Sequence, residues 1–156
     1  MDLTPDIADL IDDCVRARRI YLCGNGGSAA NAVHIANDLV AVGLRAIALT
    51  ADVATLTAIA NDHGYERVFE RQLEVHGERG DLLIALSGSG NSENVLRAIR
   101  AAKALAMRSW AVVGFPGGAA LDRADRVIVL GEGMQPAEEA QLVVGHAIML
   151  TLKENR

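Results

Sequence analysis

The apolar run Leu82–Leu86 leads directly into Ser87-Gly88-Ser89-Gly90-Asn91-Ser92, and a helical pattern begins at Glu93. The run follows a turn that closes at Asp81, and it is short enough to be one buried strand. Beyond Glu93, Val95, Leu96, Ile99 and Ala102 fall on one helical face. Ser92 is placed to cap that helix, and Glu93 suits the positive end of its dipole. A strand, a Gly/Ser loop and a helix in immediate succession make the repeating unit of a parallel sheet, since the chain must be carried back before the next strand can start. The same unit bears on function. A helix N-terminus presents free N–H groups, two glycines let a ligand approach the backbone, and three hydroxyls can donate to an anion. The loop contains no Lys and no GxxxxGK[ST] pattern, which excludes a nucleoside-triphosphate loop. A phosphate monoester on a small molecule suits it better; read locally, it is also an ordinary βα turn.

A second unit of the same kind lies upstream. Ile20–Cys23 reads as a short strand, followed by Gly24-Asn25-Gly26-Gly27-Ser28 and a helix over 29–40. Further strands are expected at 46–50, 110–114 and 126–130, and helices at 4–19, 53–61, 65–75, 119–124 and 136–153. The first helix has Thr4 as its expected cap and Pro5 at its first position. The alternation predicts an α/β fold: a five-stranded parallel sheet sandwiched by helices, preceded by an N-terminal helix. No linker or repeat divides it, so residues 1–156 read as one domain, with 1–19 as the N-terminal helix and 20–156 as the sandwich core. Ligands of such sheets sit at the C-terminal strand ends where strand order reverses, and both Gly/Ser loops lie at strand ends of that kind.

Composition narrows the function classes. Net charge is −5 with no basic cluster, which argues against a nucleic-acid partner. No segment offers about 18 uninterrupted apolar residues, so no membrane span is expected. The acidic first ten residues do not resemble a secretory leader. The two cysteines, Cys14 and Cys23, form no framework and no CxxC, and a reducing cytoplasm is the expected location.

Four residues could carry chemistry. His34 and Asp38 stand four apart on one helix, and Glu138 and His146 stand eight apart on the last, so each pair shares a face. Two imidazoles and two carboxylates could hold Zn²⁺ or a similar divalent ion, or could serve as a general acid and base. Each residue taken alone also reads as an ordinary helix residue. Asn61-Asp62 reads as a helix stop, and His63 and His76 as loop or surface residues.

Taken together, the segments CGNGGSAANAVHIANDL (23–39), LTAIANDHGYERVF (56–69) and GDLLIALSGSGNSENVLRAIRAAK (80–103), with the late His146, resemble the sugar isomerase (SIS) domain. Within that family they resemble the phosphoheptose isomerases. The resemblance implies a five-stranded parallel α/β sandwich assembled as a homotetramer with sites between subunits. It implies an aldose–ketose isomerase that converts sedoheptulose 7-phosphate to D-glycero-D-manno-heptose 7-phosphate. Carried over by motif, Ser87, Gly88, Ser89 and Ser92 hold the phosphate, while Asn25, Gly26, Gly27, Asn61 and Asp62 line the sugar end. His34, Asp38, Glu138 and His146 fall on the metal ligands, with Zn²⁺ the expected ion and Glu138 also facing substrate. Asp38 and His146 fall on the acid/base pair. The chain departs from the family pattern at Asp38, where Glu is usual, and at Glu138, where Gln is usual. It lacks the Gly-Arg segment after the first site helix, and its N-terminal region is short. The alternative within the resemblance is a non-catalytic tetrameric SIS protein that binds a phosphosugar or the bacterial replication initiator.

Overall fold

The structure, a computed structural model, describes residues 4–154. In chain order it comprises α1 (Pro5–Arg16), β1 (Ile20–Cys23), α2 (Gly27–Ala41), β2 (Ala46–Ala48), α3 (Val53–His63), a 3₁₀ turn (Tyr65–Arg67), α4 (Glu70–His76), β3 (Leu82–Ser87), α5 (Glu93–Ala104), β4 (Arg108–Phe115), a second 3₁₀ turn (Gly118–Asp122), β5 (Arg126–Glu132) and α6 (Met134–Glu154). All strand pairings are parallel, in the order β2-β1-β3-β4-β5. Strand order therefore reverses between β1 and β3, the strands that feed the two Gly/Ser loops.

The three central strands, β1, β3 and β4, are buried on both faces, and their period of two divides them between two cores. Ile20, Leu22, Leu82, Ile84, Leu86, Trp110 and Val112 pack under α1, α2 and α6. Tyr21, Cys23, Leu83, Ala85, Ala111 and Val113 pack with residues of α4 and α5 on the other face. Burial pushes the Cys14 and Cys23 thiols up to about 12, which leaves neither as a nucleophile. The indole of the fully buried Trp110 donates to Asp13 of α1 at 2.7 Å, and Arg108 pairs with the same carboxylate. That contact fixes α1 at the N-terminal ends of the strands, away from the loops. Among the described residues no helix is long and apolar enough to cross a membrane.

Several boundaries differ from the sequence reading. The expected helix over 65–75 is broken after Arg67 into a 3₁₀ turn and α4. The expected loop at 131–135 is mostly consumed by β5 and α6, and α2 begins at Gly27 rather than at Ala29. Thr4 and Ser92 occupy cap positions without a side-chain cap hydrogen bond. Asp52 does cap α3: it accepts from the hydroxyl and N–H of Thr55 and from the N–H of Ala54, which together hold its carboxyl below the usual range.

Candidate active site

The two Gly/Ser loops open onto one cavity of about 50 Å³, lined by Asn25, Ser28, Ser87, Gly88, Ser89, Ser92 and Met134. The serine loop is shaped by its own hydroxyls. Ser87 Oγ accepts from Gly90 N–H at 3.1 Å, and Ser89 Oγ accepts from Asn91 N–H at 3.1 Å. Each hydroxyl keeps its proton for an outside acceptor. Because Ser92 does not cap α5 through its side chain, the N–H groups of Glu93 and Asn94 are left to another acceptor, while Val95 N–H is taken by Asn94 Oδ1. Glycine is required at Gly90: φ is 66°, and a Cβ there would run into the Gly117 carbonyl. Asn91 Oδ1 accepts from Ala119 N–H at 2.9 Å, so the loop is braced on the turn that follows β4.

The upstream loop is tied to this one. The Asn25 and Asn94 amides exchange two hydrogen bonds of 2.8 Å, and Tyr65 Oη donates to Asn25 Oδ1 at 2.9 Å. Asn94 and Tyr65 did not stand out in the sequence. The one available signal is a polar residue at a position in α5 that proves buried, since Asn94 is only 4% exposed. Gly26 and Gly27 form the entry to α2, and the space above Gly27 is filled by the Glu138 carboxylate. Asn61 and Asp62 are exposed in the last turn of α3 and hydrogen-bond to each other at 2.8 Å. The structure shows no bond from either to the loops.

α2 and α6 lie side by side and run in the same direction. Asn31 donates to the Glu138 carbonyl and to Gln141 Oε1, while a Cβ on Gly145 would meet Ile35 Cγ1 at 2.5 Å. This close approach brings His34, Asp38 and His146 together within one chain. His34 Nε2 is 3.1 Å from His146 Nε2 and 3.3 Å from Asp38 Oδ2, and His146 Nε2 is 3.7 Å from the same oxygen. Asp38 Oδ2 is buried and has no hydrogen-bond partner, while both imidazoles are about half exposed. A tetrahedral ion with ligands at about 2.0–2.1 Å requires ligand atoms about 3.3 Å apart. The three separations match that requirement, and the orphaned carboxylate oxygen is what a cation would satisfy; the residues fit a divalent metal.

Glu138, which the resemblance places as a fourth ligand, lies outside this group within the chain. It stands eight residues from His146 on α6, which amounts to about 12 Å of rise. The two residues share a face but not a height, and Glu138 lies at the loop end, over Gly27.

Comparison with known proteins agrees with this architecture. Residues 5–114 match the SIS domain family. The chain is 42% identical over 153 residues to a phosphoheptose isomerase of Nitratiruptor sp., covering 91% of this chain and 82% of the relative. The solved phosphoheptose isomerase from Neisseria gonorrhoeae superposes with a TM-score of 0.90 at 33% identity, covering 97% of this chain and 87% of that one. The enzyme from Francisella tularensis does so with a TM-score of 0.90 at 31% identity, covering 98% and 87%. The chain belongs to the SIS-domain family and, within it, to the phosphoheptose isomerases.

Proposed function

We propose that the protein is an aldose–ketose isomerase that converts sedoheptulose 7-phosphate to D-glycero-D-manno-heptose 7-phosphate. The observation that carries the reading is the meeting of His34, Asp38 and His146 in a chain whose neighbouring loops are built for a phosphate. Ser87, Gly88, Ser89 and Ser92 hold the phosphate. Asn25, Gly26, Gly27 and Glu138, with Asn61 and Asp62, line the path of the sugar. His34 follows Gly27 by seven residues on α2, about 10 Å of rise. An open seven-carbon sugar keeps its phosphate many bonds from C1 and C2, so its length suits that separation. Holding the phosphate at a distance lets its binding energy position the reacting carbons.

Asp38 removes a proton from C1 of the ketose and returns it to C2. His146 gives a proton to the C2 oxygen and takes one from the C1 hydroxyl. The reverse assignment of the pair uses the same geometry. A divalent ion, Zn²⁺ in our reading, is held by His34, Asp38 and His146 and supplies Lewis-acid polarisation of the carbonyl and hydroxyl.

The chain acts as a single domain in a homotetramer. Exposed apolar side chains support this reading: Val33 and Val40 on α2, Ile47 on β2 and Val53 on α3. The cytoplasm suits two buried free thiols.

A turnover assay with sedoheptulose 7-phosphate, run beside metal analysis of the purified protein, tests the reading. We expect one divalent ion per chain, a lower melting temperature after chelation, and no turnover by the His146→Ala variant. Absence of turnover from protein saturated with Zn²⁺, or full activity of His146→Ala, would refute it.

A further inference from the structure

We propose that Asn94 is a positioning residue of this site, and that it acts by deciding which end of the Asn25 amide faces the substrate. The claim rests on the isomerase reading above.

The argument follows the hydrogen bonds in one direction. Val95 N–H, in the first turn of α5, reaches the Asn94 side chain at 3.0 Å. A backbone N–H can only donate, so the atom it meets is the amide oxygen of Asn94. Asn94 therefore turns its Nδ2 toward Asn25 Oδ1, and Asn25 must return its own Nδ2 to Asn94 Oδ1, both at 2.8 Å. Tyr65 Oη takes the second lone pair of Asn25 Oδ1 at 2.9 Å. The Asn25 oxygen is then fully used, and one N–H of its Nδ2 is left over. Asn25 lines the same cavity as Ser28, Ser87, Ser89 and Ser92. The group it can offer a sugar there is a donor, with its lone pairs turned away.

In the reading above, the serines that share this cavity with Asn25 hold the substrate's phosphate, so negative charge lies beside the amide. A donor held in advance stabilises that charge, whereas an amide turned the other way presents a lone pair and opposes it. Asn25 alone has no reason to prefer one orientation, because a tyrosine hydroxyl can either donate or accept. The preference comes from Asn94, which is buried, sits 69 residues away in sequence, and belongs to the helix that follows the serine loop. The pair also ties together the loops that leave the adjacent strands β1 and β3.

The test is a set of kinetic and binding measurements on the full-length protein. For Asn94→Ala we expect affinity for inorganic phosphate to fall at least about fivefold, and KM for sedoheptulose 7-phosphate to rise with it while kcat changes less than about threefold. The double variant Asn25→Ala/Asn94→Ala should be within about twofold of Asn25→Ala alone, because Asn94 works through Asn25. If the two losses multiply, or if phosphate affinity is unchanged in Asn94→Ala, the proposal is overturned. Tyr65 is exposed, so Tyr65→Phe serves if Asn94→Ala does not fold. It should lower phosphate affinity about threefold, and that effect should vanish in the Asn25→Ala background; persistence there overturns the proposal as well. A wild-type protein with no turnover would remove the isomerase reading by itself. The role of Asn94 is then judged from the affinity for inorganic phosphate alone, which Asn94→Ala should lower at least about fivefold; an unchanged affinity would refute the role.

Discussion

The two Gly/Ser loops look like copies in the sequence, and the structure uses them differently. The loop after β3 leaves its serine protons and the first two N–H groups of α5 available, and it is braced from behind by the turn after β4. The loop after β1 has its helix entry covered by the Glu138 carboxylate and its one amide tied to Asn94 and Tyr65. One is an open anion seat, and the other is an anion seat already occupied from within the chain. The local pattern of strand, glycines and helix fixes where an anion is favoured. Which anion sits there is decided by side chains more than sixty residues away.

That contrast can be broken most forcefully at the glycines. Gly90→Ala meets both a positive φ and the Gly117 carbonyl, and should cost roughly 3–5 kcal/mol in urea unfolding. Gly26→Ala meets only the positive φ, with nothing within 4 Å of the new carbon, and should cost about 1–3 kcal/mol. Equal costs would mean that the serine loop is not braced as described. Next comes the anion seat itself. Ser89→Ala with Ser92→Ala should weaken sugar-phosphate binding by roughly 2–4 kcal/mol in calorimetry. An unchanged affinity would take the loop out of the site. The smallest effect is expected where the chain supplies its own anion. Glu138→Gln removes a charge from the start of α2 and should lower stability by no more than about 1 kcal/mol. A larger loss would mean that Glu138 does more than lie over a helix end.

The strands and most helices were legible because each rests on a short local pattern. Most of the strands are apolar runs closed by Gly, Pro or charged residues, and the division of their side chains between two cores follows from the period of two. The fold and the SIS-domain resemblance read from the motifs stand. His34 and Asp38 were legible as a pair because one helical turn brings residues both into line and into reach. Glu138 and His146 satisfy only the first condition, and within the chain Glu138 lies outside the group of the other three. The start of α2 was read two residues late because Gly27 and Ser28 look like loop residues, yet a glycine at a helix entry leaves room for the carboxylate above it. Asn94 was illegible for a different reason: an amide on a helix shows nothing until its partner is known, and that partner comes from another loop.

The packing of α2 on α6 has a consequence of its own. The separation of the two imidazoles is governed by how near one helix axis lies to another, and that spacing depends on the hydrogen atom that serves as the side chain of Gly145 opposite Ile35. A single methyl at that point would act as a wedge, opening the donor set without touching any member of it. The tolerance of the site is therefore that of two rigid rods in contact, and the residue that sets it carries no chemistry at all.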